Sequence, residues 1–397
     1  MKIGLLTYHR VDNFGANLQA LSTVSYFRNR GDEVHVIDWH PKELDTYYIK
    51  NTSKEQREVH RLFVKEHLPV TEHCETSDDV KKVIEKYRFD LVVIGSDAVF
   101  SYIPFLKRVH PSRKTLIGIT KVTPDHELPN PFWADFASKD SKIKIASLAA
   151  SAQYLDIDKC LPWNKWKIRR LLKNFDLLTV RDRWTQSIIS QFTEKEVTIS
   201  PDPVFGFNIN VKNQITKEEI SKKYNLNSKY VLLSFCKKLF SDDWYAQLYS
   251  KLKEKGFEVI NMAMPEGCVD IPCDRKIDVP LPPMEWYAII KNAQGYIGQR
   301  MHPMIVAFNN IVPFFIFDHY AYKKGAQQLD SSKIYDLLER ADMLTSYWNI
   351  QDNTKKELLP SKVVDVIVNY NKEKAQKFVS SYQERYINIM TKITELL

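Results

Sequence analysis

Glycine is scarce in this chain, with 11 in 397 residues, where an average usage of roughly 7% would place about 28. Collagen-like repeats, Gly/Ser linkers and most low-complexity architectures are thereby excluded. Each remaining glycine is worth locating. Cysteine is scarce as well. The five, Cys74, Cys160, Cys236, Cys268 and Cys273, are odd in number, and the closest pair has four intervening residues. That excludes a disulfide framework and a Cys-x-x-Cys zinc or redox site. No run approaches the roughly 18 apolar residues of a membrane span. The opening MKIGLLTYHR is too short in apolar length for a secretory signal and suits a strand. The expected compartment is therefore the reducing cytoplasm. No metal-ligand cluster stands out, so neither a metal nor a bound cofactor is expected.

What is present is a globular balance, 44% hydrophobic and 27% charged residues, with length for two domains. Lys+Arg is 57 against Asp+Glu 49, a net charge of +8. Such mild basicity suits phosphorylated or carboxylated ligands or an anionic membrane surface. It falls short of the concentrated stripe that nucleic acid requires, and no nucleic-acid partner is expected.

Hydrophobic periodicity organises the chain. A short apolar run at 3–6 is followed by a helical pattern over 16–30, with Leu18, Leu21, Val24 and Phe27 on one face and Gly31 at the stop. A strand over 33–38 completes a strand–helix–strand unit. Further apolar runs lie at 91–94, 143–148, 177–180 and 197–199. The polar segment 207–229 suits an interdomain connection, and a second α/β series runs to about 317. Beyond 331 the pattern is helical apart from a polar break at 352–356. The expected architecture is α/β: two facing doubly wound, Rossmann-like domains over 1–206 and 207–330, a cleft between them, and a helical tail over 331–397 packed on both.

Ligands in such sheets bind beyond the carboxyl ends of the strands. After the first strand come Asn13, Gly15, Asn17 and Gln19, where a tight loop and the free N–H groups of a helix start could take a phosphate or sugar hydroxyl. The spacing is not G-x-G-x-x-G, so a dinucleotide is not favoured. Gly95-Ser96-Asp97 ends another strand, with helix capping as the plainer account. Arg181 follows an apolar run, beside Asp182 and Arg183. Arginine is the best fork for carboxylate or phosphate. The sharpest site is Gly298-Gln299-Arg300-Met301-His302, where Gly298 allows close backbone approach, Arg300 recognises an anion and His302 can move a proton. Asp202, fixed between Pro201 and Pro203, suits a rigid loop. Two basic stretches remain. Residues 107–121 hold five Lys/Arg and no acid, and 163–173 combine Trp163 and Trp166 with Lys165, Lys167, Arg169, Arg170 and Lys173. The second could lie on an anionic membrane, although most basic helix faces are only solvated.

Taken in order, Asn13-Phe14-Gly15-Ala16-Asn17-Leu18-Gln19, Gly95-Ser96-Asp97, Val180-Arg181-Asp182, Ser200-Pro201-Asp202-Pro203 and Gly298-Gln299-Arg300-Met301-His302 resemble the polysaccharide pyruvyl transferase family. The resemblance covers about residues 1–320. The chain departs from it in carrying Ala98-Val99-Phe100 where the strand-end motif commonly continues with Gln and Val-Trp, and in a long irregular insertion at 101–142.

The resemblance implies a fold similar to GT-B glycosyltransferases, with an acceptor side in the first domain and a donor side in the second. It implies transfer of pyruvate from phosphoenolpyruvate to a pair of sugar hydroxyls, giving a ketal and phosphate. Arg181, Arg300 and Gly298 would bind the donor. His302 would donate a proton or hold phosphate, and Asp97 is the weaker candidate for the base. Asn13, Gly15, Asn17, Gln19 and Ser96 would face the acceptor. If that acceptor is lipid-diphosphate-linked, the protein would work peripherally at the inner face of the cell membrane. Two other readings stand beside this one: a GT-B glycosyltransferase using a nucleotide sugar, and a non-catalytic basic assembly protein of the membrane surface.

Overall fold

Uninterrupted apolar runs such as Leu91–Ile94 and Phe314–Asp318 are buried along their whole length, the signature of strands covered on both faces of a parallel sheet. The computed structural model describes residues 1–112, 116–137, 142–153, 155–319, 332–352 and 357–397. Its first half supplies β1 (Lys2–Leu6), β2 (Glu33–Trp39), β3 (Val70–Cys74) and β4 (Leu91–Ile94), then a hairpin of β5 (Val109–Ser112) and β6 (Leu116–Ile119), then β7 (Lys144–Ser147), β8 (Leu178–Val180) and β9 (Val197–Ile199). Five of these form a parallel sheet in the order β3-β2-β1-β4-β7. The β8–β9 pair extends its edge through single bridges Ala146–Leu177 and Ala150–Val180.

The second half supplies β10 (Tyr230–Ser234), β11 (Glu258–Met262), β12 (Arg275–Ile277), β13 (Gly295–Gln299), β14 (Phe314–Asp318) and β15 (Tyr347–Asn349), all parallel in the order β12-β11-β10-β13-β14-β15. In each sheet the chain order reverses once, between β1 and β4 and between β10 and β13. Such a reversal opens a crevice beyond the strand ends, because the flanking connections leave on opposite faces. This is the expected pair of Rossmann-like domains.

The tail differs from expectation. It holds a strand, β15, which pairs with β14 and completes the second sheet. The helix Pro360–Val368 packs against the helix Asp242–Glu254 behind that sheet. The final helix, Lys372–Thr394, crosses back onto the first half. Its buried residues Ala375, Val379, Tyr382, Tyr386, Ile389, Met390 and Ile393 recur every three or four positions, one apolar stripe. Tyr386 lies against Gly206, where an added Cβ would sit 2.2 Å from the ring, and its hydroxyl accepts a bond from Asn210 Nδ2 at 2.9 Å. A single apolar core therefore runs from Leu5 and Leu18 through Leu232 and Tyr296 to Met390. The second unit closes near 368 rather than 330. No helix among the described residues is long and apolar enough to cross a membrane.

Replacing fully buried Tyr386 by Ala should cost about 3–5 kcal/mol. Urea unfolding is the check, and a loss under about 1 kcal/mol would show that the returning helix does not hold the halves together.

Candidate active site

The loops that follow β1, β4, β11 and β13 line a cleft of about 560 Å³ beyond the strand ends. Asn13 starts the helix Phe14–Asn29, its side-chain oxygen accepting from the backbone N–H of Gly15 at 2.9 Å and Ala16 at 3.3 Å. At Gly15 the two halves come into close contact. A Cβ there would lie 2.0 Å from Cγ of His302, so only glycine lets the helix start rest on that ring. Gly298 serves a similar purpose inside the second sheet, since a Cβ would lie 2.2 Å from the carbonyl oxygen of Ser234.

Arg181 is the centre of charge. It is 2% exposed, and its Nη1 donates to Asp202 and its Nη2 to Asp97, each at 2.9 Å. Burial alone would lower the guanidinium's pKa, but Asp97, Asp202 and Asp182 together hold it above its ordinary value. Asp202 also accepts from Gln19 Nε2 at 2.6 Å and has His302 Nε2 at 3.6 Å. Burial would raise the Asp202 carboxyl, yet His302 and Arg181 bring it down to about 2. On the other side Lys333 Nζ stands 3.6 Å from Asp97 and donates to Gln153 at 2.7 Å. Burial and the Arg181 charge lower this lysine to about 8.

Lys333 comes from the helix Lys333–Arg340, which ion pairs dock onto the first half. Arg183 bonds Asp336 at 2.5 Å and also pairs with Glu339. Arg300 comes from the second sheet and pairs with Glu266. Its backbone lies at φ 70°, ψ 152°, a region essentially reserved for glycine and costing a side-chain-bearing residue about 1–3 kcal/mol. Asp97, across the cleft, also has positive φ, 74°. Strain of this kind collects where a side chain must be aimed. A third group completes the lining: Tyr8 donates to Asp125 at 2.7 Å, and His126 Nδ1 lies 3.2 Å from the same carboxylate. Burial would lower the His126 pKa, but Asp125 raises it above the ordinary value.

Of the residues expected at the site, Asn13, Asp97, Arg181, Arg300 and His302 all line this cleft. Gly15 forms its wall behind His302. The remaining acceptor candidates are turned away. Asn17 is wholly buried, donating to the His9 carbonyl at 3.0 Å and sitting 2.6 Å from His60 Nδ1. Gln19 is spent on Asp202, and Ser96 is buried. Their burial corrects the expectation that they face a ligand. Asp97 is corrected too as a base. Burial would raise it, but Arg181, Lys333 and His302 hold it well below the usual carboxylate range, so it has little affinity for a proton. Asp202, expected as a loop anchor, is instead a hub of the site. Lys333, Gln153, Asp125 and His126 were not anticipated. For Asp202 the signal was present, an acid locked between prolines at a strand end.

Two sheets with facing switch points and a charged cleft between them define a two-domain α/β enzyme of GT-B type. A putative UDP-N-acetylglucosamine 2-epimerase from Listeria monocytogenes shares this fold at a TM-score of 0.53 and 10% identity, over 99% of this chain and 95% of that one. A UDP-GlcNAc 2-epimerase from Methanocaldococcus jannaschii gives 0.48 and 13%, over 99% and 100%. A spinosyn forosaminyltransferase gives 0.49 and 12%, over 100% and 99%. No curated protein is significantly similar in sequence. The family model for polysaccharide pyruvyl transferase matches residues 13–320, and the chain belongs to that family.

Asp202→Ala should destabilise the protein by about 3–5 kcal/mol, because it strips one partner from a buried cation. A change under about 1 kcal/mol in chemical unfolding would show Arg181 satisfied without it. Arg300→Gly should melt higher than Arg300→Ala, by an amount matching about 1–3 kcal/mol of relieved strain. Equal melting temperatures would remove the argument for strain.

Proposed function

We propose that the enzyme transfers pyruvate from phosphoenolpyruvate to two hydroxyls of a sugar in a polysaccharide or its precursor, forming a ketal and releasing phosphate. The observation that supports this most directly is the charge pattern of the cleft. Arg300, Lys333, His126 and His302 line one cavity, and the donor carries both a carboxylate and a phosphate, which such groups bind as charge-assisted pairs. Arg181 is deeply buried with Nη1 and Nη2 both given to carboxylates, so it does not present an open fork. Its part is to set Asp97 and Asp202, which in turn position Lys333 and His302.

The chemistry distributes over these groups as follows. His302 delivers a proton to the vinyl CH₂, leaving a cation-like centre at C2. A sugar hydroxyl adds there and gives its proton to His126, which Asp125 orients. The C2–O bond to phosphate breaks, and the second hydroxyl closes the ring as its proton leaves with the phosphate. General acid and base groups each contribute about 10²–10⁴-fold in such steps. Arg300 and Lys333 hold the donor's anionic ends throughout.

The GT-B fold keeps a nucleotide-sugar donor as the second reading. Against it stands Asp318, the acid positioned to hold a ribose. It is buried, and its Oδ2 accepts from Ser332 at 2.5 Å and Tyr347 at 3.0 Å, bonds within the second half that a ribose would have to share.

Incubation with phosphoenolpyruvate and a panel of galactose, mannose and N-acetylhexosamine acceptors should give a mass gain and equimolar phosphate. Product from a nucleotide sugar without phosphoenolpyruvate would overturn the reading. Lys333→Met should lower kcat/KM for phosphoenolpyruvate by about 10–150-fold, the worth of about 1.5–3 kcal/mol of charge-assisted bonding. In His126→Gln the rise of kcat/KM with pH should vanish, since a base of raised pKa must lose its proton to work. An unchanged profile would exclude His126.

A further inference from the structure

The insertion that departs from the family pattern forms a surface of its own. Among the described residues β5 and β6 pair with each other alone, antiparallel, with Val109 opposite Ile119 and Pro111 opposite Ile117. Residues two apart share a face, so these four side chains make one apolar face. All four are exposed, Ile117 by 63% and Ile119 by 52%. The opposite face is covered differently, His110 lying over Gly118, where a Cβ would come within 2.4 Å of the ring. An isolated two-stranded ribbon is marginal in water, and the apolar side chains of this one at Val109, Ile117 and Ile119 are solvent-exposed. Phe105 and Leu106, in the turn of helix just before it, are exposed as well.

A second element adjoins it. The helix turn Phe105–Arg108 packs on the segment Ile157–Lys159, which leads into the helix Pro162–Leu172. Asn164 of that helix donates to Tyr102 at 2.6 Å. The helix buries Asn164, Ile168, Leu171 and Leu172. It turns outward Trp163 and Trp166, exposed by 59% and 58%, with Arg170 over the Trp166 ring. Tryptophan beside cations is the side-chain set that settles at the headgroup level of a bilayer.

Charge selects the occupant. Residues 105–121 hold five Lys/Arg and no acid, and residues 157–173 hold six against the single acid Asp158, with Arg108 paired to Glu127, so both stretches keep a positive excess. A second copy of this chain would bring like charge to like charge across such a face. An anionic lipid surface supplies the complement.

We propose that the bare face of the β5–β6 ribbon and the Trp163–Trp166 face of the neighbouring helix together dock the enzyme on an anionic lipid bilayer. The chain leaves this ribbon and runs straight to Thr123, Asp125 and His126, which line the catalytic cleft. A docked membrane therefore lies beside the cleft rim, where a lipid-linked acceptor would enter. The docking itself stands on the exposed patch and not on the proposed reaction.

The test is co-sedimentation with vesicles of phosphatidylcholine alone and of phosphatidylcholine mixed with phosphatidylglycerol. Binding should be at least about tenfold tighter to the anionic vesicles and should weaken as salt rises. Trp163→Ser/Trp166→Ser and Ile117→Ser/Ile119→Ser change only exposed side chains. Each pair should lower binding by about tenfold, with the melting temperature and the turnover of a soluble acceptor retained. Equal binding by the variants, or no vesicle binding by the parent, would overturn the proposal. So would a dimer in sedimentation velocity that the variants abolish, since the face would then belong to a second copy. If vesicles bind while phosphoenolpyruvate is not used, the docking stands and the reaction assignment falls.

Discussion

A buried cation between two carboxylates governs this molecule. Arg181 cannot be left alone in the interior, since an uncompensated charge there costs several kcal/mol. Asp97 and Asp202 must therefore hold their positions, one at the end of β4 and one after β9. From those two anchors the active site spreads outward. Asp202 reaches Gln19 and His302, and Asp97 reaches Lys333. Five segments distant in sequence are thus referred to a single guanidinium. The cluster is balanced so that its carboxylates keep their charge and its lysine is eased toward neutrality. Both tendencies follow from low dielectric and the arrangement of neighbours.

The same cluster explains why the two halves face each other closely. His302 belongs to the second sheet, yet its ring lies on Gly15 and beside Asp202, both of the first. Arg183 ties the helix that carries Lys333 across the same gap. The residues that line the cleft therefore come from both halves.

Much of this was legible in the order of residues. The parallel strands show themselves as continuous apolar runs because both of their faces are covered. Arg181, Arg300 and His302 could be found because each follows such a run, and the strand end is where α/β folds place ligands. The misses have physical causes. Asn17 and Gln19 sit in a helix start that a lone strand–helix unit would expose, but Asn17 is taken up by the His9 carbonyl and His60 and Gln19 by Asp202, and Phe14 through Val24 are all buried. The β5–β6 ribbon and β15 are too short to show a period. Lys333 follows no apolar run at all. Its place depends on the pairs Arg183–Asp336 and Lys333–Gln153, each spanning more than 150 residues, which no local pattern encodes.

The last helix, Lys372–Thr394, carries a consequence for how the chain comes to be. Its stripe completes a core begun by the strand at Lys2–Leu6 and the helix at Phe14–Asn29. On a ribosome the first half emerges long before that helix exists. The ledge formed by Pro203–Gly206 is covered in part by the helix Met301–Asn309 and in part by Lys372–Thr394, so its cover is incomplete until the latter is made. Synthesis from the amino terminus thus cannot deliver a finished first domain, and the order of manufacture runs opposite to the order in which the structure is sealed.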